Sequence, residues 1–254
     1  MANFKLIIEY DGTAYCGWQY QADAPTIQAT IETALSVMTR ETIRVIGSGR
    51  TDAGVHALGQ TAHFHTRAAI SPRGFQAGLN SLLPDDIVIR ACDPAPDDFH
   101  ARFSARHKTY RYLIRNQPLP AAIGRQYAWH IRKKLDVAAM KTAAHHIIGA
   151  HDFKSFEGSG SPRADTIRTV LSADISQTPT GDVTFTIIAT GFLRYMVRNL
   201  TGTLVDVGLV KISPDDFKSV LEARNRNLAG ATAPPHGLCL VSVSYDQKPF
   251  QNPI

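Results

Sequence analysis

The sequence predicts an α+β fold made of two ferredoxin-like βαββαβ halves, and three observations predict it. Residues 1–104 run strand, helix, strand, strand, helix, strand by their apolar periodicity. A Pro- and Asp-rich segment, Asp93 to Asp98, then breaks that periodicity. Across it the charge changes sign, from 8 basic and 11 acidic residues through Ser104 to 19 basic and 11 acidic from Ala105 onward. Domains are therefore expected at 1–104 and 105–254, which suits the size of a chain of 254 residues.

Phe4, Leu6, Ile8 and Tyr10 alternate with polar positions, giving a half-buried first strand that turns at Asp11-Gly12-Thr13. After a loop at Tyr15 to Gln19, the apolar residues Ile27, Ile31, Ala34, Leu35 and Met38 recur at helical spacing, with Thr26 near the start. Strands are expected over Thr42–Ile46 and Gln60–Thr66, a helix from Ser71-Pro72 to Leu82, and a strand over Ile87–Ala91. The second half reads as a strand over Lys108–Ile114 with Tyr110 and Tyr112 on one face, and a helix over Asp136–Ile148. Strands over Ile167–Ile175 and Val183–Thr190 follow, then a helix from about Arg194 to Val210 and a last strand over Leu238–Val243. On that helix Arg194 and Arg198 fall four residues apart on one face of an otherwise apolar segment, so both need partners. Gly202 and Gly208 each cost a helix about 1 kcal/mol relative to alanine, which implies close packing of another element there.

Composition excludes several classes. A chain with 44% hydrophobic and 19% charged residues folds, and it has no run of about 18 apolar residues that would span a bilayer. The N-terminal apolar stretch is broken by Glu9 and Asp11, so it reads as a strand rather than a signal peptide, and a cytoplasmic location is expected. Cys16, Cys92 and Cys239 are far apart and in no CxxC pattern, which points to reduced packing residues. His63 and His65 share a strand face, but no third ligand stands at a telling distance, so they read as half-exposed strand histidines and no metal is expected.

Two stretches carry chemistry. Gly47 to Ala57, GSGRTDAGVHA, has little apolar bulk to bury and presents Arg50 and Asp52 from a tight loop between two strands. Taken alone it reads more readily as an ordinary turn, since Asp followed by Ala-Gly is common turn chemistry. Between Phe99 and Leu135 there is no acidic residue, and nine Arg or Lys from Arg102 to Lys134 are interleaved with Phe103, Tyr110, Tyr112, Tyr127 and Trp129. Cations suit phosphates and flat rings suit unstacked bases, so this is a nucleic-acid-like stretch.

With these residues in place, the chain resembles the tRNA pseudouridine synthase A family. The likeness rests on YDGTAYCGWQ at 10–19, GRTDAGVHA at 49–57, FHARFSARHKTYRY at 99–112, HDFKSF at 151–156, GFLRYMVRN at 191–199 and APPHGLCL at 233–240. The resemblance implies two RNP-like halves forming one continuous, mainly antiparallel sheet with helices on one face and a basic cleft. It implies a homodimer that needs no cofactor and acts on uridines of the tRNA anticodon stem-loop. It implies that Asp52 is the catalytic carboxylate, that Tyr110 lies against the target base and that Arg198 pairs with Asp52. Arg50, His56, Arg111 and Arg194 are the further candidates for substrate contact. Departures from the family pattern at Arg194-Tyr195, Val210 and Cys239 touch none of the three central residues.

The reaction breaks the C1′–N1 bond, turns the uracil, joins C5 to C1′ and removes the C5 proton. The carboxylate could add to C6, attack C1′ or take a sugar proton, and each route needs it ionised. Two competing readings are a non-catalytic RNA-binding module or tRNA chaperone, and a histidine-dependent phosphodiesterase. Against the first, a carboxylate in an electropositive cleft repels phosphate; against the second, no consistent ligand set exists.

Overall fold

The computed structural model describes residues 1–158, 160 and 164–246. The strands are β1 (Ala2–Tyr10), β2 (Ile46–Gly47), β3 (His56–Thr66), β4 (Ile87–Ala95), β5 (His107–Arg115), β6 (Trp129–His130), β7 (Gly149–Asp152), β8 (Ile167–Gln177), β9 (Asp182–Ala189) and β10 (Leu238–Ser244). The helices are α1 (Ile27–Thr39), α2 (Pro72–Leu82), α3 (Val137–His145), α4 (Met196–Gly208) and α5 (Pro214–Glu222). All ten strands join one sheet in the order β4-β1-β3-β10-β5-β9-β8-β7, with β2 on β3 and β6 on β5.

The pairing is antiparallel except where β10 meets β3 and β6 meets β5. The last strand of the described residues, β10, thus links β3 to β5. It pairs Leu240 with Ala57 of β3 on one side and with Tyr110 of β5 on the other. Paired residues share a face. The series Tyr10, Ala57, Leu240, Tyr110, Ile187 therefore puts the buried residues of five strands on one face. Helices cover that face: Phe75 of α2 packs on Phe4 and Phe64, and α3 packs on β8 and α4. One apolar cluster runs from Phe4 to Leu240 beneath them.

Local chemistry sets the helix starts. Thr26, Ser71, Asp136 and Ser213 each accept a hydrogen bond from a first-turn amide, worth about 1 kcal/mol apiece. A Cβ on Gly202 would overlap the Ala231 carbonyl, so α4 meets the 231–233 segment backbone to backbone, the close packing its glycine implied.

Several expectations are corrected. Thr42–Val45 is not a strand, because side chains of α1 take its backbone groups: Glu32 Oε1 accepts from Val45 N–H at 2.9 Å and Gln28 Nε2 donates to Val45 O at 3.1 Å. The strand expected over Ile87–Ala91 runs on to Ala95 against β1, and Pro94 is tolerated because β4 is an edge strand. Helix α4 begins at Met196, since Tyr195 sits at φ 61°; Arg194 lies outside it and shares no helix face with Arg198. His63 is buried rather than half-exposed, with its ring 4.8 Å from that of His100 and 5.6 Å from that of His65. Cys16 is exposed rather than buried in the packing. Helix α5 was not anticipated.

Candidate active site

Asp52 stands in the loop between β2 and β3, and the surrounding residues hold that loop from several sides. The Ser48 amide donates to Thr61 O at 2.7 Å, and Gln60 Nε2 donates to Gly49 O at 3.0 Å. Thr51 O accepts from the Trp18 amide at 3.1 Å, while its Oγ1 lies 2.8 Å from the Tyr10 hydroxyl. The segment after β1 can lie this close only because it carries glycine. A Cβ on Gly17, at φ +93°, would come within 2.6 Å of Thr51 O, and one on Gly12 would overlap the Val55 carbonyl. The motif at 10–19 is therefore the bed on which the Asp52 loop rests.

Arg198, on the first turn of α4, reaches this loop across 146 residues of sequence, placing Nη1 3.1 Å from Asp52 Oδ2. Its side chain is 13% exposed and that of Asp52 26%, so the pair is shielded but not sealed. Two further contacts orient the guanidinium. Nε donates to Ala233 O at 2.8 Å, and its carbon lies 4.9 Å from the centre of the Tyr195 ring. Arg194 stacks on the same ring at 4.7 Å and donates from Nη2 to the Tyr195 hydroxyl at 3.0 Å. The Ala233 carbonyl is in turn placed by the Ala233 amide, which donates to Arg198 O at 3.1 Å.

The expected site residues divide between the two faces of the sheet. Tyr110 is on the helix-covered face, 8% exposed, edge-on to Phe192 with centroids 5.0 Å apart, and close enough to Asp52 to feel its charge. Arg50 is exposed at the rim, its Nε bonded to Gln19 Oε1 at 2.9 Å. Arg194 lowers the Asp52 pKa through its charge, so it also belongs to this side.

His56 and Arg111 do not. Each is paired with Cys239, the neighbour of Leu240, and therefore faces the opposite side of the sheet. Both line a cavity of about 590 Å³ there, together with Glu9, Leu113 and Thr184. His56 is fully engaged: Nδ1 accepts from the Gly12 amide at 3.1 Å and lies 3.0 Å from Asp11 Oδ1, and Nε2 lies 3.1 Å from Gln126 O. The alternation that set Tyr110 and Tyr112 on one face already placed Arg111 on the other. Tyr195, Phe192 and the Ala233 carbonyl were missed; only their positions in the GFLRYMVRN and APPHGLCL motifs hinted at them.

Burial is the largest influence on Asp52 and raises its pKa above the ordinary carboxylate value. The Arg198 charge and hydrogen bond, then the Arg194 charge, oppose that shift without cancelling it. Such a carboxylate, once ionised, is more basic than one in water, and the arginines keep its ionised form accessible. Tyr110 is pushed the other way for chemistry. Burial, and then the Tyr10 and Asp52 groups, raise its pKa, so the phenol stays protonated and offers a ring face rather than a base. Among the described residues, no group of three or more His, Cys, Asp or Glu could hold a metal ion.

Residues 6–104 and 143–246 match the family described as tRNA pseudouridine synthase. The tRNA pseudouridine synthase A of Acetivibrio thermocellus is 47% identical over 245 residues, covering 96% of this chain and 100% of that protein. The Bacillus subtilis tRNA pseudouridine synthase A is 46% identical over 244 residues, covering 95% and 98%. Among solved structures, the archaeal box H/ACA sRNP Nop10-Cbf5 complex shares 10% identity at a TM-score of 0.36, over 80% of this chain and 43% of that one. Two long matched segments and near-complete relatives at close to half identity leave one assignment: the chain belongs to the tRNA pseudouridine synthase family.

Proposed function

We propose that the Asp52 site is where this tRNA pseudouridine synthase isomerises uridine, acting on the anticodon stem-loop. The observation that carries the reading is the contact of Arg198 with Asp52, which joins two distant motifs beside a buried aromatic ring. Asp52 supplies the carboxylate that attacks the target nucleotide or takes its sugar proton. Arg198 keeps that carboxylate ionised and fixes its direction. The uridine leaves its stack and lies against Tyr110, while Arg50 and Arg194, both exposed, meet the RNA around it. Detached uracil then turns within the site, C5 bonds to C1′, and the C5 proton departs as N1 gains one. The balance is that of an isomerase, with no oxidation or hydrolysis.

The strand order supports a reading in two RNP-like halves divided near residue 104. Each would have the order fourth, first, third, second: β4-β1-β3-β2 and β10-β5-β9-β8. The catalytic groups then fall in a cleft between the halves, with Asp52 from the first and Tyr110 and Arg198 from the second, and the charge of the second half makes it basic. A homodimer in the cytoplasm, working without a cofactor, completes the proposal; no helix among the described residues is long and apolar enough to cross a membrane. Incubating the purified protein with unmodified tRNA transcript, and scoring pseudouridine and strand cleavage together, tests the function. Pseudouridine in the anticodon stem-loop without cleavage is the expected result. Binding with no change in the RNA would return the chain to a non-catalytic role.

A further inference from the structure

Lys108 lies on β5 two residues before Tyr110, hence on the same face and about 7 Å along the strand, a span one nucleotide can bridge. Its stem is flanked by the pairs to Val243 of β10 and Ala189 of β9, and its Nζ ends 3.1 Å from where a Cβ on Gly49 would stand. The head group is thus set against the backbone of the loop that carries Asp52, on the side of Arg50. A Cβ at position 49 would crowd it by a few tenths of an ångström.

Here the lysine is in an unfavourable place for a charge. Burial first, and the nearby Arg102 second, pull its pKa down to about 8. A structural lysine in such a position would be paired with a carboxylate, and the Lys108 ammonium makes no hydrogen bond or ion pair among the described residues. Asp52, the acid of the loop that Lys108 abuts, is taken by Arg198. An anion arriving from outside would relieve the burial cost and the repulsion from Arg102 together.

We propose that Lys108 binds a backbone phosphate of the RNA next to the nucleotide that lies on Tyr110, and so helps to hold the RNA on the protein. The proposal rests on the reading of the Asp52 site as the uridine-isomerising centre. The phosphate contact is made in the bound ground state and persists in the transition state, so Lys108 acts on substrate affinity rather than on the chemical step.

Binding of unmodified tRNA transcript to the full chain is measured over a range of monovalent salt for the wild type, Lys108→Met and Lys108→Arg, with turnover and melting temperature in parallel. Methionine keeps the length of the buried stem and removes the charge. Lys108→Met is expected to bind about tenfold more weakly. Its plot of log affinity against log salt should be shallower by about 0.7–0.9, as expected when one phosphate fewer is neutralised. KM rises while kcat stays within about twofold, and Lys108→Arg restores the slope. An unchanged salt slope in Lys108→Met overturns the proposal, whether or not its melting temperature has fallen, because a merely structural lysine alters stability without altering counterion release. Wild-type protein that binds transcript but forms no pseudouridine would sink the functional reading and leave the phosphate contact open to the same slope test. Normal wild-type turnover with an unaltered Lys108→Met slope sinks the lysine alone.

Discussion

Replacing Arg198 by alanine should slow isomerisation in a way that depends on pH. The substitution removes one charge-assisted hydrogen bond to Asp52, at 3.1 Å, in a pair only 13% and 26% exposed. Such a bond is worth about 1.5–3 kcal/mol, which corresponds to roughly a 10- to 150-fold loss of rate if it acts in the transition state. Its effect on ionisation has a definite sign. Burial already lifts the Asp52 pKa and Arg198 is the first group that holds it down, so the variant carboxyl must be lifted further. Activity needs the ionised form and is lost as pH falls through the Asp52 pKa; in Arg198→Ala that limb lies at higher pH. The deficit in single-turnover rate at saturating protein should therefore widen toward acid and narrow toward alkaline pH. Arg198→Lys should recover only part of the rate, because arginine uses two donors on two acceptors, Asp52 Oδ2 and Ala233 O, and one ammonium in that position replaces only one. A deficit constant across pH, or confined to tRNA affinity, would refute the reasoning.

Other outcomes follow from the same geometry. Tyr110→Phe should stay within about tenfold of the wild-type rate while Tyr110→Ala loses much more, since the phenol is held protonated and the ring is what the base meets; a Phe variant as poor as Ala would make the hydroxyl a reacting group. His63 is buried and its pKa is drawn down to about 4, first by burial and then by His100 and His65. The unfolded chain takes up that proton near pH 6.5 and the folded one does not, so this contribution is intact above 6.5 and is lost as pH falls toward 4, by at most about 3 kcal/mol. Denaturant titrations of wild type and His63→Gln between those values measure it; equal slopes with pH would exclude His63. Arg111→Ala, on the face away from Asp52, should leave the single-turnover rate unchanged, and a loss like that of Arg198→Ala would mean that both faces take part.

Strands with strict alternation, such as Phe4 to Tyr10 and Lys108 to Ile114, were legible because one face of each is buried. Thr42–Val45 misled because its β-like residues are bonded sideways, by Gln28 and Glu32 of a helix no local window contains. Helix α5 was legible in principle: Ser213 and Asp216 form a reciprocal capping box around Pro214. The start of α4 was not, since nothing in Arg194-Tyr195 announces a tyrosine in the left-handed region. For the site, the family resemblance implied the Arg198–Asp52 pair, the electrostatic need of an arginine on an apolar helix and of a buried acid agrees with it, and the structure places them in contact. His56 and Arg111 lie on the sheet face away from Asp52, which strand alternation sets residue by residue and no linear motif displays.

The most direct test of the account is Asp52→Asn, assayed in parallel for binding of unmodified tRNA transcript and for pseudouridine formed in a single turnover. The amide keeps the shape of the carboxylate but is neither nucleophile nor base, so transcript affinity should stay close to wild type while no pseudouridine forms. Pseudouridine formed by Asp52→Asn at a rate near that of the wild type would contradict the central claim and move the chemistry to another residue.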